Sequence, residues 1–198
     1  MAITADYLDY STARTWDQGQ SSTCVSHAFF TLLAEHIQQS TGKIVEFDFD
    51  KYHDEAEEYK KENGGHRVVA LCKIAKDKGF KTKTGELVKI GSYRRYAAYR
   101  NFQWLCRIIQ TAGPFLLSLY LYKGHSLNPS SDIITTPKGE RKGTSHMVMI
   151  RGFDFPSEWL RIQNSWYSKD EDNIKWLPHP ALVEMCQYMY YVSDVTIK

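Results

Sequence analysis

The sequence contains no Cys-x-x-Cys pair. Its cysteines, Cys24, Cys72, Cys106 and Cys186, stand far apart and lack the histidine spacings of a zinc site, so neither a structural metal nor a cofactor is expected. No run approaches the roughly 18 apolar residues needed to cross a bilayer. The longest, Ala112 to Tyr122, is short, contains Ser118 and reads as a buried strand. An excess of one charge is also missing, because 25 Lys and Arg against 23 Asp and Glu leave only +2. That balance steers the chain toward neither nucleic acid nor a membrane surface. The basic clusters Arg94-Arg95 and Lys138 to Lys142 read as solvated loop edges. The opening Met-Ala-Ile-Thr-Ala-Asp-Tyr has no basic start and no apolar core of signal-peptide length, and a cytoplasmic protein is expected. Internal repeats, low-complexity tracts and flexible linkers are absent as well.

What is present suits a globular protein: 198 residues, 42% hydrophobic and 24% charged, are enough for one large domain or two small ones. From Ser21 to Gln39 a helix is predicted, capped by Ser22 or Thr23, with Ala28, Phe29, Leu32, Leu33 and Ile37 at helical spacing along a wide apolar stripe. Phe49 to Lys61 reads as a polar surface helix stopped by Asn63-Gly64-Gly65, and a third helix runs from Arg67 to Lys78, closed by Gly79. A fourth spans Asn101 to Thr111 and ends at Gly113-Pro114. Beyond Pro114 the pattern changes to short runs rich in branched and aromatic residues, the signature of an antiparallel sheet or barrel. A helical half followed by a β half implies the α+β class. Trp104, Trp159 and Trp176 are expected in the core.

Cys24 differs from the other cysteines. Cys72, Cys106 and Cys186 lie in apolar runs where a thiol behaves as a small core residue, whereas Cys24 has polar neighbours and falls in the first turn of a buried helix. There the unsatisfied N–H groups and the helix dipole should lower a thiol pKa. A cysteine nucleophile also needs an imidazole, a group to fix that imidazole and a donor for the oxyanion. His146 begins one strand and Asn164 ends the next, and a hairpin turn over residues 152–157 would set them side by side. Gln18, six residues ahead of Cys24 on a glycine-relaxed loop, could place its amide beside the sulfur, with the Cys24 N–H as a second donor. The other histidines, His27, His36, His53, His66, His125 and His179, read as surface or satisfied core residues.

These blocks resemble the papain family of cysteine peptidases. Gln18-Gly19 through Cys24, followed by Ala28-Phe29, is similar to the family's nucleophile block, His146-Met147-Val148 to its histidine block, and Gln163-Asn164-Ser165-Trp166 to its asparagine block. Asn63-Gly64-Gly65 resembles its substrate wall, and Asp9-Tyr10 its early Asp-Trp. The resemblance implies a two-lobed α+β fold: a mainly helical lobe over residues 10–112 carrying the nucleophile, and a mainly β lobe over residues 113–198, an antiparallel barrel, carrying His146 and Asn164. The active-site cleft lies between them, and the termini are free to cross over. It further implies a thiolate–imidazolium pair, an acyl-enzyme intermediate and a peptide or protein substrate. Gly64, Gly65, His66, Met147 and Trp166 would touch that substrate, and Trp166 would shield the His146–Asn164 bond.

The sequence departs from the family in places. The cysteine that precedes the family's nucleophile is replaced near Ser21, so its neighbouring disulfide cannot form, which fits a reducing compartment. Val25 stands where the family has tryptophan, and residues 167–172 replace its glycine-rich stretch. His66, Arg67, Thr144 and Met147 suggest a subsite that does not simply take a large hydrophobe. Two other readings use the same cleft: an acyl transferase or isopeptidase, and a catalytically silent peptide-binding homologue.

Overall fold

Phe29, Phe30, Leu32, Leu33 and Ile37 recur at helical spacing and are all fully buried, and they set the centre of the molecule. The computed structural model describes residues 5–10, 23–64, 66–97, 99–127, 129, 131–165 and 173–198. The central helix, α1 (Cys24–Thr41), is enclosed on every side from Ser26 to Glu35 and closes at Gly42, whose left-handed φ of 73° turns its N–H back to Gln38 O at 2.8 Å. Against it lie α2 (Phe49–Asn63) and α3 (Arg67–Asp77). Asp48 caps α2 through its side chain, and only Tyr52 and Ala56 of that polar helix are buried.

The strands fall into two antiparallel sheets. A small one orders β10 (Thr196–Ile197), β3 (Leu87–Lys89) and β2 (Phe80–Lys81). The large one orders β4 (Ser92–Tyr96), β9 (Cys186–Ser193), β5 (Phe115–Tyr122), β6 (Arg141–Asp154), β7 (Trp159–Gln163) and β8 (Ile174–Pro178). A seventh strand, β1 (Tyr7–Asp9), pairs with the far end of β6. Gly152 makes this possible, since a Cβ there would collide with Leu8 O.

The expected barrel is not closed: among the described residues the edge strands β4 and β8 do not pair with each other. The cause is visible in the alternation of side chains. Leu116, Met147, Met149, Tyr188 and Tyr190 face one core shared with α1, α2 and α3. Leu117, Val148, Ile150 and Met189 face a second core, shared with α4 (Phe102–Ala112) and α5 (His179–Met185). A sheet covered on both faces has no interior to enclose, and its strands read as continuous apolar runs.

Several local expectations are corrected. Arg94 and Arg95 belong to β4 and not to a loop edge, whereas the cluster from Lys138 to Lys142 runs from a loop into the start of β6 at Arg141. Thr23 occupies the N-cap of α1 without a side-chain capping bond. Trp104, Trp159 and Trp176 are half-buried rather than core, with Trp159 and Trp176 6.1 Å apart in a tilted pair. Cys72, Cys106 and Cys186 are buried as anticipated. Among the described residues no helix is long and apolar enough to cross a membrane.

Candidate active site

Two core layers fix where chemistry can occur. The first turn of α1 leaves the buried body of the helix and meets β6, so that Cys24 is only half-buried. The backbone N–H of Met147 lies within hydrogen-bonding reach of its sulfur. The thiol therefore adjoins the residue that follows His146.

His146 is itself buried, 3% exposed, and pairs with Leu119 across β5–β6. Its Nε2 is 2.7 Å from Asn164 Oδ1. Asn164 follows the last residue of β7, and Gln163 pairs with Met149, so the turn through residues 155–158 places the two side chains on neighbouring strands. The Ser165 N–H also donates to Asn164 Oδ1, at 2.8 Å. Because a backbone N–H requires an acceptor, the amide oxygen and not its NH₂ faces this point, and His146 Nε2 must be the donor. In the neutral ring the basic lone pair then belongs to Nδ1. Asn164 is held in turn by its own N–H on Asn173 O at 2.7 Å.

Burial opposes charge on both partners. The Cys24 thiol is pushed up from its ordinary value, first by desolvation, against the opposing pull of the Met147 N–H, the Arg67 guanidinium and the N–H groups of Val25 and Cys24 itself. Helix position alone predicts a lowered value; burial of the helix start reverses the direction. Burial likewise lowers His146 to about 4, although the Asn164 bond favours the protonated ring.

Among the flanking residues, Gly64 ends α2 with φ 70°. His66 is the N-cap of α3, and its ring lies 5.7 Å from that of Tyr188, so the helical layer and the sheet meet here. The Met147 side chain is buried in the core beneath α1, leaving its backbone toward the sulfur. Gln18, Gly65 and Trp166 lie outside the described residues. His27 stacks on Phe49 at 4.6 Å and turns its Nδ1 to Thr23 O at 3.2 Å, while His53 Nδ1 meets Ser26 Oγ at 3.3 Å. Among the described residues no group of three or more His, Cys, Asp or Glu could hold a metal ion.

Sequence reasoning missed a buried charge network behind the site. Arg151, 1% exposed, donates from Nε to Asp9 Oδ1 at 2.8 Å and from Nη1 to Gln163 Oε1 at 3.1 Å. Its signal was available, an arginine inside the run Met-Val-Met-Ile-Arg-Gly-Phe.

Two histidines, His146 buried and His36 half-buried, should make the fold acid-sensitive. His146 and His36 are both lowered to about 4 by burial, from an ordinary value of 6.5. The unfolded chain therefore takes up protons first as pH falls. Stability should be full above about pH 6.5 and decline toward pH 4, by on the order of 1 kcal/mol per pH unit for each ring. Urea unfolding at pH 7, 5.5 and 4.5 checks this, and replacing His36 with glutamine should flatten the slope.

The same arrangement of helices and sheet recurs in solved structures. Xylellain, a cysteine protease from Xylella fastidiosa, matches with a TM-score of 0.75 at 17% identity, over 97% of this chain and 87% of that one. A mite-allergen structure bearing on antibody cross-reactivity between Blo t 1 and Der p 1 gives 0.74 at 13% identity, over 98% and 72%. The cysteine protease CMS1MS2 of Carica candamarcensis, in complex with E-64, gives 0.70 at 13% identity, over 96% and 99%. No protein-family description matches the sequence, and no curated protein matches it significantly. The chain has the papain-like α+β fold, and at these identities the likeness is one of fold.

Proposed function

We propose that the protein hydrolyses peptide bonds as a papain-like cysteine peptidase. In this reading the mainly helical lobe supplies Cys24 as nucleophile and the mainly β lobe supplies His146 as base and acid, with Asn164 orienting the ring. The observation that carries it is the convergence of a half-buried thiol at a helix start, the Met147 N–H at its sulfur, and a neighbouring imidazole fixed at 2.7 Å by Asn164. Gln18 and the Cys24 N–H are assigned to the oxyanion. Gly64, Gly65, His66 and Trp166 are assigned to the walls around an extended peptide or protein substrate, and Met147 contributes its backbone.

Since burial disfavours both charges, the resting pair is read as thiol and neutral imidazole. The Sγ proton passes to His146 Nδ1 as sulfur adds to the carbonyl, forming C–S and placing negative charge on oxygen. Collapse breaks C–N, and the same proton leaves on the amine. Water then adds to the thioester, gives a proton to Nδ1, and C–S breaks as that proton returns to sulfur. No cofactor enters.

A peptide library incubated with the folded protein in reducing buffer and read by mass spectrometry tests the assignment. Cleaved peptides are expected, whereas a fully intact library would remove it. Asn164→Ala bears on the orienting role. It should lower kcat by about 10- to 100-fold with KM little changed, because ring orientation matters most in the transition state. An equal rise in KM with kcat preserved would place Asn164 in substrate binding instead.

A further inference from the structure

The open end of β6 carries a groove that, of the residues read above as substrate-facing, includes only Thr144. It has a volume of about 160 Å³ and is lined by the exposed segment from Arg141 to Ser145, by Tyr120 opposite on β5 and by Gln187 on β9. Ser145 immediately precedes His146. Successive side chains alternate faces, so Ser145 shares its face with Met147, whose N–H adjoins the Cys24 sulfur; at a strand rise of about 3.3 Å per residue the groove begins about 7 Å from that point and extends for two or three residues of a substrate in extended conformation.

Its chemistry is one-sided. The Arg141 guanidinium lies 4.5 Å above the Tyr120 ring and is held there by Nε donating to Tyr122 Oη at 2.7 Å. Glu184 offsets part of this charge from outside the groove, with its backbone O 3.3 Å and its Oε1 3.5 Å from Arg141 Nη2, and that Oε1 also accepts from Tyr122 Oη at 2.7 Å. Glu140, the other nearby carboxylate, is engaged by Lys123 at 2.7 Å. Among the described residues Lys142 has no carboxylate partner, and no carboxylate lines the groove itself. Ser145 and Gln187 add polar groups at the Met147 end, and Gln187 Oε1 is occupied as acceptor for Ser118 Oγ at 2.9 Å.

The geometry points to a specificity subsite for an acidic side chain of the substrate, a Glu or Asp within three residues of the scissile bond. Its methylenes would lie on Tyr120 and its carboxylate between Arg141 and Lys142. This subsite rests on the peptidase reading and adds to it a substrate class. The carboxylate commits one occupant, because the floor is aromatic, the rim is cationic and the groove is too small for more than one side chain.

The test uses N-acetylated, C-amidated hexapeptide mixtures with Glu, Gln or Lys fixed at each position in turn. Blocking both ends keeps a chain-terminal carboxylate out of the comparison. At one position Glu should exceed Gln in kcat/KM by about 3- to 10-fold at low salt, the range of a partly screened surface charge, and the ratio should shrink at high salt. Lys142→Glu with Arg141→Gln should invert the order of Glu and Lys peptides, which a loss of folding cannot do. Binding of the same peptides to Cys24→Ala separates the two proposals. Cleavage with no Glu preference at any position overturns the subsite and keeps the peptidase. A Glu preference in binding without turnover in the native protein keeps the subsite and overturns the peptidase. Equal Glu:Gln ratios in the native protein and the double variant also overturn the subsite.

Discussion

Cys24→Ala is expected to abolish peptide cleavage, lowering kcat by at least about 10⁴-fold while leaving the folded protein intact. No other cysteine can replace it. Cys72, Cys106 and Cys186 are buried in the two cores, and desolvation pushes their thiols up, Cys106 and Cys186 to about 12. Only Cys24 combines partial exposure with N–H donors at its sulfur. The substitution removes one sulfur from the margin of a core, so the unfolding midpoint should shift by no more than about 1 kcal/mol in equivalent stability. Iodoacetamide followed by intact-mass measurement should add one label to the native protein and none to the variant, as long as both stay folded. Retained turnover in Cys24→Ala would place the nucleophile elsewhere and remove the assigned roles of His146 and Asn164 with it.

Much of this arrangement is legible in the sequence where the signal is local. The apolar stripe of α1, the polar face of α2 and the stops at Gly64 and Gly113 depend on neighbours within a few residues, and α1 to α4 formed where periodicity put them, whereas α5 was not anticipated. Strand β4 was not legible: its sequence Ser-Tyr-Arg-Arg-Tyr is polar, and it is a strand because β9 supplies the partner. The barrel expectation failed for a similar reason. The run from Met147 to Ile150 shows strand character but not which layers cover its two faces. At the site, residue types and order suggested Cys24, His146 and Asn164 as a set. The direction of the Cys24 thiol shift is not legible, because the helix start is local whereas desolvation by tertiary burial is not.

The network behind the site gives the second large effect, and its size follows from where the charge is left. Asp9 is the partner of an arginine that is 2% exposed in its side chain, and Arg161 stands farther off, 3.9 Å from the other Asp9 oxygen. Asp9→Ala would strand Arg151 in the core with, among the described residues, only Gln163 Oε1 as side-chain acceptor. Breaking a buried pair from one side costs about 3–5 kcal/mol, mostly the penalty of the uncompensated charge. Arg151→Met removes the buried charge itself and leaves Asp9 near Arg161, so it should cost less, about 1–3 kcal/mol. The double variant Asp9→Ala, Arg151→Met should recover most of the Asp9→Ala loss. Urea unfolding of the three variants closes this cycle, and additive losses would deny the coupling. Activity should follow the same order below the unfolding transition. Arg151 ties β1 to β6, which carries His146, and to Gln163, the residue before Asn164, so loosening it should lower kcat before it changes KM.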